Sequence, residues 1–240
     1  MSVRDLARKI IRKPLNALGL DLVRYNPRAR MGDFIPLAAY NINTVIDVGA
    51  HKGEFARMMR RTLPDARIIS FEPLAEAFQE LTASMKTDAN FEAFNFALGE
   101  REGGVEMHKN EWTQSSSLLP MAELHKEVFT YTKNETTEEI EIRRLDDVLG
   151  GVKLRPEILV KLDTQGYEDK VILGGEEVIS QARLLVVETS FQTLYEGQPL
   201  FDDIYQLLRA RGFNYAGNSY QLLSPLDGTI MQVDAVFIRR

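Results

Sequence analysis

From residue 44 onward, apolar runs of strand length alternate with stretches whose apolar residues recur at helical spacing. The runs at 44–49, 67–71 and 91–96 read as buried strands, and 53–62 and 74–86 as the helices between them, the first stopping before Pro64. A further helix is predicted around 31–40. Such alternation calls for a parallel sheet with helices on both faces, because each crossover between parallel strands must run over a face of the sheet. The pattern lapses between about 100 and 150. There, 105–108 and 139–143 alternate like half-exposed strands around a polar stretch rich in serine and threonine, which predicts a hairpin-like insertion with a long connection. Alternation then resumes with strand 158–163, a helix over 167–181 broken at Gly174-Gly175, strand 184–188 and helix 200–211 capped by Gly212. Strands at 213–216, 220–223 and 232–238 follow, with a turn at Ser224–Gly228. The expected fold is α/β: a mostly parallel seven-stranded sheet, helices on both faces and a terminal antiparallel hairpin.

Before residue 31 the pattern differs. Val3, Leu6, Ile10, Leu15 and Leu18 fall near helical spacing with basic residues between them, and Pro14 breaks the run. Residues 1–30 carry eight basic side chains against two acidic ones, a net of +6, so the rest of the chain carries −12 of the total −6. We read 1–30 as a basic amphipathic arm and 31–240 as one domain. Such an arm suits an anionic membrane surface or a partner, and equally a packed helix with a solvated basic face. The acidic body argues against a broad nucleic-acid surface. No run approaches the ~18 apolar residues of a membrane span, and the first residues lack the apolar core and cleavage site of a signal peptide. A cytoplasmic location is expected, with peripheral contact at the inner membrane face open to the arm. The chain has no cysteine, which removes disulfides, thiol catalysis and zinc-thiolate sites.

The candidate chemistry gathers at strand ends. The first strand closes in Ile46-Asp47-Val48-Gly49-Ala50-His51-Lys52-Gly53, and 23 residues after Gly49 the second closes in Phe71-Glu72-Pro73. Glycines that let a backbone approach a ligand, followed by an acid at the next strand end, suit an adenosine-containing cofactor whose ribose hydroxyls meet the carboxylate. A dinucleotide needs a second glycine where His51 stands, since its pyrophosphate must sit on the helix N-terminus. S-adenosylmethionine has no phosphate, and Asp47, Gly49, Ala50, His51 and Gly53 suit it better. His51 is a loop or cofactor contact first and a general base second. At the third strand end Asn95 is a candidate for hydrogen bonding an adenine, with Ala97 and Leu98 in apolar contact; a buried strand closed by a glycine turn explains those residues as well.

The fourth strand, Leu159-Val160-Lys161-Leu162-Asp163, places two charges on one face, and its neighbour ends in Glu188. Charge in a central strand is costly unless paired or used. Asp163, Glu188 and Lys161 can deprotonate a hydroxyl, hold a divalent cation through the two carboxylates, or neutralise one another. A metal is possible but not favoured. His108 and His125, in the insertion, are expected at the surface, and Trp112–Leu118 either lines an acceptor pocket or forms a polar loop.

The segments Ile46–Gly53, Phe71-Glu72-Pro73, Ala97-Leu98-Gly99, Leu145-Asp146-Asp147 and Lys161–Glu168 resemble, in order and over roughly 44–190, the FkbM family of methyltransferases. The resemblance implies a class I methyltransferase fold and methyl transfer from S-adenosylmethionine to an oxygen of a sugar, polyketide or related natural product. It assigns Asp47, Gly49 and Gly53 to cofactor binding and Glu72 to the ribose, while His51 stands where many members have Asn. The expected activity is therefore O-methylation of a small-molecule or glycan acceptor, with Asp163 as base, Glu188 as its partner or alternative, and Lys161 orienting the pair. The rival readings are a nicotinamide-dependent oxidoreductase, disfavoured by His51 and by the lack of a Tyr-x-x-x-Lys pair, and a non-catalytic cofactor-binding domain.

Overall fold

The computed structural model describes residues 37–110, 113–129, 132 and 135–239; the arm at 1–30 and most of the helix expected at 31–40 lie outside them. Residues Leu37–Tyr40 form a single 3₁₀ turn. Strands β1 (Thr44–Val48), β2 (Arg67–Phe71), β3 (Phe91–Phe94), β7 (Ile158–Leu162), β8 (Ala182–Ser190), β9 (Phe213–Leu223) and β10 (Ile230–Arg239) make a seven-stranded sheet in the order β3-β2-β1-β7-β8-β10-β9. Only β10 runs antiparallel to its neighbours on either side. The helices are α1 (Glu54–Thr62), α2 (Ala75–Met85), α3 (Glu123–Val128), α4 (Leu145–Leu149), α5 (Glu168–Gly174), α6 (Glu176–Ser180) and α7 (Phe201–Ala210).

The core strands are apolar on both faces, as a sheet covered twice requires. Ile46, Ile69, Val160 and Leu185 face α4–α7, packing with Leu149, Val171, Ile179 and Leu208. Their strand neighbours Val45, Ile68, Leu159 and Leu184 turn to the opposite face, against Phe55, Met59 and Leu81 of α1 and α2. Each such side chain contributes about 1.5–3 kcal/mol on burial. No helix among the described residues is long and apolar enough to cross a membrane.

Three predictions about elements are corrected by packing. The strand expected at 91–96 stops at Phe94 as β3 of the main sheet, and beyond its expected end β4 (Ala97–Leu98) joins β5 (Gly103–Asn110) and β6 (Glu135–Arg143) in a second sheet of order β4-β6-β5. The insertion strands are longer than their alternation suggested, because the β5–β6 pairing extends from Gly103↔Ile142 to Asn110↔Glu135 over mostly polar pairs. The stretches 213–216 and 220–223 are one strand, whose register shifts against β10 absorb the irregular pattern.

Candidate active site at the carboxyl edge of the sheet

A cavity of about 500 Å³ opens where the carboxyl ends of β1, β2, β7 and β8 converge, a usual size for a small-molecule site. Its floor is the loop after β1. Gly49 and Gly53 both take left-handed φ, +75° and +83°. A Cβ on Gly49 would stand 1.8 Å from the main-chain oxygen of Asp163, so only glycine lets β1 turn this close to the end of β7. Phe71 O accepts the amides of Gly49 and Ala50 at 3.0 Å each. Glu72 Oε2 accepts from His51 N at 2.8 Å, and Oε1 from Leu74 N at 2.9 Å. The carboxylate thus ties the glycine loop to the end of β2 and keeps one lone pair of each oxygen for a ligand. Burial, opposed by those two bonds, raises its pKa to about 7.

Not every predicted cofactor residue reaches the cavity. Gly49, Ala50, His51, Glu72, Ala97 and Leu98 line it; Asp47, Gly53 and Asn95 do not. Asp47 is fully buried beneath the loop, level with Ser70 and Lys161 on the flanking strands. Its Oδ2 lies 3.5 Å from Ser70 Oγ, and Oδ1 has no hydrogen-bond partner. Burial raises its pKa to about 6 against the pull of Lys161. Gly53 caps α1. Asn95 donates its side-chain amide to the carbonyls of Glu72 and Pro73 at 2.9 Å each, so it braces the end of β2 rather than facing a base. His51 Nε2 sits 2.7 Å from Thr113 Oγ1, and burial lowers the ring pKa.

The cavity divides by chemistry. Phe71, Leu74, Phe96, Leu98, Met107 and Leu118 form an apolar lobe. The other lobe holds Lys161, Asp163, Glu188 and, from β10, Asp234. Lys161 Nζ donates to Asp163 Oδ2 at 2.7 Å. Burial by itself would discharge this ammonium, but the Asp163 and Asp47 carboxylates overcome that and hold its pKa above the ordinary value. Gln165 Nε2 donates to Asp163 Oδ1 at 2.8 Å and to Glu188 Oε2 at 2.7 Å. Burial, then Asp163, Glu168 and Asp234, keep the Glu188 pKa well above the carboxylate range, while burial raises Asp234 to about 6. Lys161, Asp163 and Glu188 are thus brought together. Among the described residues no group of three or more His, Asp or Glu is placed to hold a metal ion.

Several contributors were not singled out beforehand. Asp234 pairs in register with Glu188; a charge inside the apolar run 231–237 was the available signal, as it was for Lys161. Glu168 accepts from Thr164 N, Thr164 Oγ1 and Gly166 N, so it shapes the loop after β7. Tyr195 lies in a loop with no pattern to mark it. Of the stretch Trp112–Leu118, which the sequence did offer as a pocket lining, Thr113, Gln114, Ser116 and Leu118 line the cavity, while residues 111–112 lie outside the described residues. His125, expected at the surface, is 5% exposed: its ring packs edge-on against Phe129 and Tyr195, and burial lowers its pKa to about 4. His108 is half-buried in β5.

Comparison with known proteins now decides the family. The model described as the methyltransferase FkbM domain matches residues 47–215. The chain belongs to the FkbM methyltransferase family. It is 30% identical over 171 residues to the 2-O-methyltransferase NoeI of Sinorhizobium fredii, covering 68% of this chain and 70% of that one. It is 27% identical to the methyltransferase sdnD of Sordaria araneosa over 205 residues, covering 71% and 73%. Among solved structures, a methyltransferase FkbM from Methylobacillus flagellatus aligns with a TM-score of 0.50 at 14% identity over 82% of this chain; the chain spans 44% of that protein, and the likeness is one of fold.

The buried carboxylates give this methyltransferase an unusual stability profile. Glu72 and Glu168 both have pKa values near 7 in the fold, raised chiefly by burial from 4.5. Between pH 6 and 8 the folded state therefore holds protons that the unfolded chain has lost, and stability falls as pH rises. His51 and His125, kept neutral by burial, act in the opposite sense, but only below the unfolded histidine pKa of about 6.5. Two groups crossing about one unit each remove about 3 kcal/mol, on the order of 10 °C in Tm for a domain of this size. Calorimetric melts of the ligand-free protein from pH 6 to 8 are expected to show that fall; a flat or rising Tm would contradict it.

Proposed function

We propose that this methyltransferase moves a methyl group from S-adenosylmethionine to a hydroxyl of a sugar, glycan or natural-product acceptor. The observation that carries the reading is one cavity with Glu72 and the glycine loop bordering its apolar lobe and the Asp163–Lys161 pair in its acidic lobe. The residues fit that cofactor. The apolar lobe takes a purine ring, the spare lone pairs of Glu72 take two ribose hydroxyls, and the acidic lobe favours a sulfonium over a phosphate. When bound, S-adenosylmethionine supplies an electrophilic methyl group in line with an incoming oxygen.

The chain's own residues then supply position and a proton acceptor. Asp163, bonded to Lys161 and Gln165, takes the acceptor's proton. Glu188, whose surroundings resist a further negative charge, keeps its proton and donates a hydrogen bond. The activity of the NoeI relative, a 2-O-methyltransferase, supports oxygen as the target. A divalent cation at Asp163 and Glu188 is not favoured, because the Lys161 ammonium already pairs with Asp163 and would repel it. An acidic lobe also disfavours an anionic acceptor such as a nucleic acid.

Purified protein examined by native mass spectrometry is expected to retain, or to take up on addition, S-adenosylmethionine or its demethylated product. Incubation with radiolabelled cofactor and fractionated cell-envelope glycans is then expected to label a hydroxyl-bearing fraction. Failure to bind either form of the cofactor sinks the reading; labelling of nitrogen alone overturns the oxygen assignment.

A further inference from the structure

Gln165 sits where its backbone gains nothing from being glutamine. Its φ of +55° is left-handed, a conformation that costs a non-glycine residue about 1–2 kcal/mol and that persists at sites where something else holds it. What holds it is explicit. Ser117 Oγ donates to Gln165 O at 2.6 Å, and Glu168 accepts the amides of Thr164 and Gly166 on either side. The fold maintains a strained backbone that places one side chain between two acids.

The side chain's contacts fix which way its amide faces. Asp163 Oδ1 and Glu188 Oε2 lie 2.8 and 2.7 Å from the same atom. The Asp163 carboxylate, ion-paired with Lys161, only accepts, so that atom is nitrogen, and its second N–H meets Glu188 Oε2. The amide oxygen then faces the Tyr195 hydroxyl at 2.8 Å, which donates to it. Burial and the surrounding carboxylates raise the Tyr195 pKa, so the hydroxyl stays protonated. Tyr195 is itself held in place, since Gln198 Oε1 accepts its main-chain amide. A turned-over amide would set its oxygen against the Asp163 carboxylate, acceptor facing acceptor.

We propose that Gln165 is a positioning residue of this site: its amide bridges Asp163 and Glu188 and aims the Asp163 carboxylate at the acceptor hydroxyl, while Tyr195 fixes the amide's orientation. The proposal rests on Asp163 being the proton acceptor. It also explains how the insertion reaches the chemistry, since Ser117 holds Gln165.

The test reads the amide directly and needs no acceptor. In ¹⁵N-labelled full-length protein, the Gln165 side-chain NH₂, identified by its loss in Gln165→Met, is expected as a pair of downfield, slowly exchanging resonances. Tyr195→Phe, which keeps the ring and removes the hydroxyl, is expected to abolish that slow exchange while leaving the melt cooperative. A wild-type amide that exchanges like a solvent-exposed glutamine, or one unaffected by Tyr195→Phe, overturns the proposal. On the glycan fraction that the wild type labels, Gln165→Met is expected to lower kcat by about 10²-fold, the loss that a misplacement near 1 Å produces, with the Kd for S-adenosylmethionine unchanged. A role confined to holding the loop would weaken cofactor binding and kcat together, and that result also overturns it. Should the wild type bind no cofactor, the proposed activity falls while the amide spectrum still decides whether the bridge exists.

Discussion

Asp163→Asn is expected to slow methyl transfer by about 10²–10⁴-fold, the range in which a positioned general base contributes, while S-adenosylmethionine binds as in the wild type. The asymmetry follows from position. Asp163 follows β7 in the acidic lobe, with Lys161 and Gln165 on its two oxygens. The glycine loop meets residue 163 through its main chain, which asparagine keeps, and Glu72 keeps its bonds to His51 N and Leu74 N whatever side chain stands at 163. Asparagine preserves the shape but turns an NH₂ toward one of two donors, so Lys161 or Gln165 loses its acceptor as the base is lost. Glu188 does not take over, because its surroundings hold its proton. Transfer rates from radiolabelled cofactor, beside a calorimetric Kd, measure both halves. Turnover within a few-fold of wild type would remove Asp163 from the mechanism; a parallel loss of cofactor affinity would make its role structural.

The second large effect is expected at Gly49. An added Cβ would lie 1.8 Å from Asp163 O, a main-chain atom that cannot swing aside, at a φ of +75° that alanine adopts only under strain. Either β1 and β7 separate at their carboxyl ends or the loop leaves its bonds to Phe71 O. Gly49→Ala is therefore expected to cost about 3 kcal/mol or more, combining left-handed strain with overpacking, and to abolish cofactor binding. Gly151→Ala is the control: nothing lies within 4 Å of its added Cβ, and the change should stay within about 0.5 kcal/mol. Denaturant melts and calorimetric titration of both variants check this. A Gly49→Ala protein with wild-type stability and affinity would show that the loop does not approach β7 as described.

Much of this site is visible in local sequence. The acid that follows β2 stands out because Phe71-Glu72-Pro73 closes an apolar run, and Lys161 and Asp163 stand out because charge interrupts another. The same reasoning applied to 231–237 marks Asp234, whose partner across the ladder is Glu188. Other residues carry no local mark. Tyr195 reads as any aromatic in a polar loop until β7, the insertion and the 194–198 segment pack around it. Asn95 follows a strand end as a base-binding residue might, yet carbonyls from the end of β2 lie nearer and take its amide. His125 looks polar in a polar stretch, but the two aromatic rings beside it come from its own helix end and from a loop seventy residues on.

The sequence by itself determined the alternation of strands and helices, the double burial of the central strands and the positions of the glycine loop and of Glu72. These follow from periodicity and from the φ that only glycine adopts cheaply, and both are properties of neighbours along the chain. Tertiary structure alone decided which strand ends became neighbours, and so which charges share a field. The order β1-β7-β8-β10 gathers Asp47, Lys161, Asp163, Glu188 and Asp234, spread over nearly 190 residues of chain, at one end of the sheet. Protonation, amide orientation and the split between an apolar and an acidic lobe depend on burial and on charges a few ångströms away, and no local spacing encodes those distances.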